Sequence, residues 1–308
     1  MQAMALYRLS GTRTTWINVI HPTPQDIDAL RRMYPYFHPL NLEDTLSPIE
    51  RPKIDDGDDY LFVVMHFPLW DAAHRLTRQS EVDFFVGRGF VITLHDGALK
   101  PLRDLYDACQ SQESDLKKLL DGSASHSFYA ILDKLIDYCF PIMRKVDGNI
   151  RAIEERIFTD EDKALIRDIA IVRRDIISLR RIIRQQVPIM ENLERIERPI
   201  IQEDLDEYFG DIVDHVHTLR DIVDEDFEII VGLSDTADTL INHRLNGVIR
   251  VLTVISVIIL PLTLVSGIYG MNVSLPLDDH PDAYLVVLGL MVVLAVSLLV
   301  YFKRRKWL

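Results

Sequence analysis

Residues 251–270 read VLTVISVIILPLTLVSGIYG and residues 283–302 read AYLVVLGLMVVLAVSLLVYF. No Asp, Glu, Lys, Arg or His occurs between Arg250 and Asp278. Each run is long enough to cross a bilayer core of about 30 Å. Only a short polar stretch separates them, so the pair predicts a transmembrane hairpin. Its orientation follows from the basic residues. Arg244 and Arg250 precede the first run, Lys303, Arg304, Arg305 and Lys306 follow the second, and the connecting stretch has no Lys or Arg. Positive flanks stay in the cytosol, which puts the connecting loop outside. The start MQAMALYRLSGTRTTW lacks the basic and apolar pattern of a secretory signal, so the region up to about Arg250 is expected in the cytosol.

Upstream of the spans the chain changes character twice. The first 100 residues hold β-branched and aromatic runs at TWINVI (from Thr15), YLFVVMHF (Tyr60), VDFFVG (Val82) and FVITLH (Phe90), which predict strands. Gly87-Arg88-Gly89 suits a hairpin turn between the last two, because glycine reaches positive φ. PQDIDALRRMY from Pro24 reads as a helix start. After about Asp121, apolar residues recur at three- and four-residue steps from Leu135 to Ile157 and from Leu165 to Val187. These predict two antiparallel helices, with Pro141 a candidate kink in the first.

From Ile200 to Leu260 no proline occurs, so one helix of roughly 90 Å can run through an acidic segment into the membrane. Glu203 to Asp235 carries twelve acidic residues against one basic one, Arg220. With a net charge of -13, the chain lacks the basic footprint of a nucleic-acid binder and should attract cations. Cys109 and Cys139 share no metal-ligand spacing and read as buried thiols. The fold expected is an α/β cytosolic domain over 1–125 (a mixed sheet with helices) and a helical pair over 126–199. An acidic stalk helix (200–250), a first span (251–270), an outer loop (271–282), a second span (283–302) and a basic tail (303–308) follow.

Two transmembrane helices cannot by themselves enclose a polar path, so transport would need a ring of subunits. Asn246, Ile249, Thr253, Ser256, Leu260, Thr263, Gly267 and Gly270 recur on one stripe, with small and mildly polar groups suited either to a pore or to helix packing. At the outer end of this stripe stands Tyr269-Gly270-Met271-Asn272.

Together with LPLTLVSGIYGMN (260–272), the terminal YFKRRKWL, and RPK (51–53) followed by YLFVVM, this resembles the CorA family of magnesium channels over nearly the whole chain. The resemblance implies a funnel-shaped homopentamer in which the long helix lines the pore. Its selectivity motif falls on Gly270, Met271 and Asn272, and its pore positions on Asn246, Ile249, Leu252, Leu260, Thr263 and Asn272. It implies a regulatory magnesium held between subunits by Asp71 and Asp211, with magnesium also the transported ion, no catalytic cofactor and location in the inner membrane.

A ring of Asn272 carboxamides would select hydrated cations, and apolar rings at Ile249, Leu252 and Leu260 would close the path by dewetting. Asp278, Asp279 and Asp282 would raise cation concentration at the mouth. The loop departs from the family pattern, with VSLPLDD where many members have an aromatic residue and then Met-Pro-Glu. Rival readings are a ZntB-like zinc transporter, a cobalt or nickel transporter, and a membrane-anchored sensor or scaffold. No HExxH or nucleophile elbow suggests an enzyme.

Overall fold

The computed structural model describes residues 6–47, 50–158, 163–196, 206–271 and 282–307. The chain divides into two compact units, 1–234 and 235–308.

In the first unit, six strands form one sheet: β1 (Leu6–Ser10), β2 (Thr15–Ile20), β3 (Lys53–Asp56), β4 (Tyr60–Asp71), β5 (Leu76–Gly87) and β6 (Phe90–His95). Their spatial order is β1-β2-β6-β5-β4-β3, with β2 and β6 parallel and every other pair antiparallel. The four expected strands are all present. The β5–β6 turn has Gly89 at φ +81°, the left-handed conformation that its glycine supplies. A Cβ on Gly87 would meet the Phe90 ring at 2.3 Å, so that position also needs glycine.

Alternation along the strands sorts the two faces of the sheet. Ile17, Val19, Phe62, Val64, Phe85, Ile92 and Leu94 share one core, closed by Ile27 and Leu30 of α1 (Pro24–Met33), Phe37, and Leu42 of α2 (Pro39–Asp44). Phe37 stacks on Phe85 at 4.5 Å. Helix α1 starts where the sequence suggests, with Thr23 and Asp26 forming a reciprocal capping box. On the opposite face Trp16 meets Tyr106 of α3 (Lys100–Ser111), and Phe84 meets Phe128 of α5 (Ala124–Asp137). The short α4 (Glu113–Leu120) links these two helices.

Pro141 acts where the sequence suggests. A one-residue interruption at Tyr138, which keeps helical φ/ψ, separates α5 from α6 (Cys139–Arg156). A proline at 141 cannot donate to the carbonyl four residues back, and its ring crowds that carbonyl; Asp137 is the last residue of α5. Helix α7 (Lys163–Arg195) packs on α6 through the expected stripes, with Val146, Ile150 and Ile153 buried on one and Leu165, Ile169 and Ile176 on the other. It also ties down the sheet: Asp175 accepts from the Thr77 amide, and the Ser178 hydroxyl donates to the Thr77 carbonyl at 2.7 Å.

Helix α8 runs from Asp206 to Tyr269, 64 residues without a break, through both the acidic segment and the first apolar run. In the first unit it is fixed by Phe209 against Phe128, Tyr208 against Tyr129, and Asp224 against Arg180 and Arg184 of α7. In the second unit, α8 and α9 (Ala283–Arg304) contain 18-residue windows of mean hydropathy 2.5 and 2.9, and only 6% of each window is buried. Apolar helices this bare of partners suit lipid rather than water.

Candidate cation path and cation-holding site

The stripe expected on the first apolar run is a continuous face of α8. Leu260 is 70% exposed, and Ile249 and Leu252 are nearly as open. A groove of about 770 Å³ follows this face past Ser256, Leu260, Thr263, Gly267 and Met271. The hydroxyls along it are oriented by the helix. Thr253 donates to the Ile249 carbonyl at 2.7 Å, Ser256 to Leu252 at 2.9 Å and Thr263 to Ile259 at 3.0 Å. Each hydroxyl proton is thereby spent on the backbone, which leaves the oxygen lone pairs for water or a cation.

The helix ends where the motif begins. Gly270 N donates to Ser266 O at 2.9 Å and Met271 N to Ile268 O at 3.2 Å, which closes the last turn. A Cβ on Gly270 would stand 3.1 Å from Ser266 O, a tight approach that favours glycine there. The negative end of the helix dipole points toward this terminus and favours a cation. Asn272, Asp278 and Asp279 lie outside the described residues. Asp282 is exposed in the turn before α9.

Asp71 closes β4 at the turn into β5. Its Oδ1 accepts from the amides of Ala73 (2.9 Å) and His74 (3.3 Å), and its Oδ2 meets His74 Nδ1 at 2.8 Å. The hydrogen bond from the His74 side chain, then that from its amide, holds the carboxyl below the usual range. Asp211 lies on α8, more than half exposed, with Oδ1 3.9 Å from His215 Nε2. Among the described residues of one subunit no bond joins Asp71 to Asp211.

Sequence reading missed a set of groups beside Asp211. Asp133 and Asp137 of α5 and His215 of α8 present ligand atoms all within 4.8 Å of one another. Burial raises the Asp133 carboxyl first; the charges of Asp137 and Asp211 add to this, and Lys134 and His215 oppose it. His215 Nδ1 is buried without a hydrogen-bond partner, and its ring lies edge-on to Phe140. A divalent cation fits this donor set, since it would relieve carboxylate repulsion that the protein leaves in place. The i, i+4 spacing of Asp133 and Asp137 was visible in LDKLID; their meeting with His215 was not. His217 faces away, 3.3 Å from Glu191, as the two-residue spacing of the histidines requires.

A mixed α/β domain, one very long helix whose last part is apolar and a second apolar helix after it, with a small-residue stripe ending in Gly-Met-Asn, define a membrane transport protein of the two-span class. Residues 11–304 match the family described as CorA-like Mg2+ transporter protein, and the chain belongs to that family. It is 30% identical over 314 residues to the cobalt/magnesium transport protein CorA of Thermotoga maritima, covering all of this chain and 87% of that one. The complete CorA magnesium transporter structure from Methanocaldococcus jannaschii superposes with a TM-score of 0.87 at 19% identity, covering the whole of both chains. The cytoplasmic domain of ZntB from Vibrio parahaemolyticus also shares the fold, with a TM-score of 0.62 at 11% identity over 76% of this chain and 90% of that one. The chain is thus a divalent-cation transporter of this family and not an enzyme.

Proposed function

We propose that five copies of the chain surround a pore lined by α8 in the inner membrane, and that magnesium enters passively through it. Both termini face the cytosol, and the loop 271–282 faces outward. The observation that carries this reading is the open face of α8, where Ser256 and Thr263 offer lone pairs between apolar residues such as Leu260. Magnesium sheds its water reluctantly, so a path of weak oxygen acceptors ending in an Asn272 ring passes the ion largely hydrated. Ile249, Leu252 and Leu260 form the apolar constrictions that close the path. The membrane potential supplies the drive, about 2.3 kcal/mol per elementary charge per 100 mV. Asp278, Asp279 and Asp282 concentrate cations at the mouth.

Gating follows from internal magnesium. An ion held between Asp71 and Asp211 of neighbouring subunits offsets carboxylate repulsion and locks the ring shut. Asp133, Asp137 and His215 extend that acidic region within each subunit. The imidazole in this set favours a second reading, in which cobalt, nickel or zinc is the preferred cargo or regulator, because magnesium prefers oxygen ligands. Flux into proteoliposomes with magnesium, cobalt, nickel and zinc side by side, repeated with Asn272→Ala, tests both. The magnesium reading expects magnesium flux that Asn272→Ala abolishes; zinc flux in its place favours the second.

A further inference from the structure

In the α/β domain, β6 ends at His95, opposite Val82, whereas β5 begins six residues earlier at Leu76. Strand β5 therefore runs on past its neighbour. Its Thr77 backbone is taken up by Asp175 and Ser178 of α7, but nearer the end of β6 the notch opens into a cavity of about 380 Å³. That volume is in the range of small-molecule sites. The wall is apolar at Pro22, Leu46 and Leu94 and carries carboxyls at Glu81, Asp83 and Asp96.

Two of these carboxyls already have protein donors. Glu81 Oε2 takes the Glu50 amide at 2.7 Å and lies 3.2 Å from His66 Nε2. Asp96 Oδ1 takes the Ser80 hydroxyl and the Ala98 amide, both at 2.9 Å. Asp83 differs: it is 3% exposed, and its Oδ1 is buried with no hydrogen-bond partner. A buried carboxyl oxygen without a donor is a costly arrangement that a native fold rarely keeps without a use.

We propose that this notch binds a small alkylammonium ligand, a free monoamine or diamine, whose ammonium group donates to Asp83 while its methylenes lie on Pro22, Leu46 and Leu94. Among the described residues, three metal-ligating side chains converge within 4.8 Å at Asp133, Asp137 and His215 and not in this notch. An anion does not fit beside Glu81 and Asp96.

The charged and titratable groups facing the cavity are Arg78, Glu81 and Asp83 from β5, His95 and Asp96 from the end of β6, and His21 from the turn after β2. His95 is fixed as the neutral ring: Nε2 donates to Asn18 Oδ1 and Nδ1 accepts from the Gly97 amide, while burial lowers its pKa to about 4. Arg78 is exposed at the rim. Burial, then the charges of Glu81, Asp44 and Glu50, hold the Asp83 carboxyl well above the ordinary range, and Lys53 opposes them. An ammonium donor at Asp83 favours its carboxylate form and so opposes that upward shift.

The test is calorimetric titration of the full-length protein with putrescine and n-butylammonium near pH 7. Saturable binding is expected, weakened roughly tenfold or more by Asp83→Asn. Ser47→Phe, which fills the cavity wall, should abolish binding without unfolding the protein and decides the matter if Asp83→Asn does not fold. Absence of saturable binding, undiminished binding in both variants, or Asp83-dependent binding of magnesium chloride but not of the amines overturns the proposal. Magnesium flux is measured separately, so failure here leaves the transport reading intact.

Discussion

The Thr253 hydroxyl donates to the Ile249 carbonyl one helical turn back, at 2.7 Å, so its proton faces the backbone and its lone pairs face outward. If this face of α8 lines the pore, the hydroxyl oxygen is one of the acceptors that hydrated magnesium passes. Thr253→Val keeps shape and removes the oxygen. Magnesium flux should fall about fivefold, since polar pore lining governs permeation, while the melting temperature should hardly move because the backbone bond of the helix remains. Unchanged flux would assign the stripe to helix packing.

Leu260 is 70% exposed on the same face. An apolar ring that closes by dewetting opens when it is made wettable. Leu260→Asn should therefore raise magnesium leak at high internal magnesium by about tenfold or more, read as uptake into vesicles preloaded with magnesium. A drop in leak would argue against a gate at this level.

Asp211 and His215 share one face of α8 beside Asp133 and Asp137 of α5. If ions here inhibit transport, Asp211→Ala should keep flux high as internal magnesium rises. Asp137→Asn should weaken binding of cobalt to the purified protein, followed by its visible spectrum, because one of three converging ligands loses its charge. Inhibition that persists in Asp211→Ala means that the main sensor lies elsewhere.

Much of this architecture was written in local patterns. The two spans, the stripes of α6 and α7, and the core of the sheet depend on runs and periods that one stretch of chain carries alone. What was hidden depends on partners. Strand β3 reads KIDD and the first half of β5 reads LTRQSE, neither with strand-like composition. They are strands because β4 pairs with both and because α7 satisfies the Thr77 backbone. Charged edges of this kind are common at sheet borders. The acidic set on α5 and α8 was hidden for a similar reason. Some eighty residues separate Asp133 from His215, and tertiary contacts such as Phe128 with Phe209, Tyr129 with Tyr208 and Phe140 with His215 itself bring them together.

Asp224 of α8 is gripped by α7 through Arg180 Nε (2.7 Å) and Arg184 Nη2 (2.8 Å). Burial alone would raise its carboxyl, but the hydrogen bonds from Arg184 and Arg180 outweigh it and the net shift is downward. A carboxyl depressed in the folded state contributes stability above its unfolded pKa of about 3.9 and loses it as pH falls through the lower folded value. Asp224→Asn should cost about 1 kcal/mol at neutral pH, solvent screening included. The difference from wild type should shrink in melting curves taken below about pH 4.

Two residues on, Asp226 has the opposite problem, and its pH dependence should run the other way. It is 4% exposed, its Oδ2 has no hydrogen-bond partner, and its carboxyl is raised to about 6 by burial, then by Asp147 and Glu225. The neutral acid is tolerated in the fold and the carboxylate is not. Its contribution is therefore most favourable below the unfolded pKa of about 3.9 and is lost as pH rises to about 6, above which the penalty is constant. Asp226→Asn removes the ionisation but keeps the shape. It should stabilise the protein at pH 8 by an amount on the order of 2 kcal/mol, with little effect at pH 4. If the two proteins melt in parallel from pH 4 to pH 8, the buried carboxylate has found a counter-charge, and α8 is held at this level by a cation rather than by apolar packing alone.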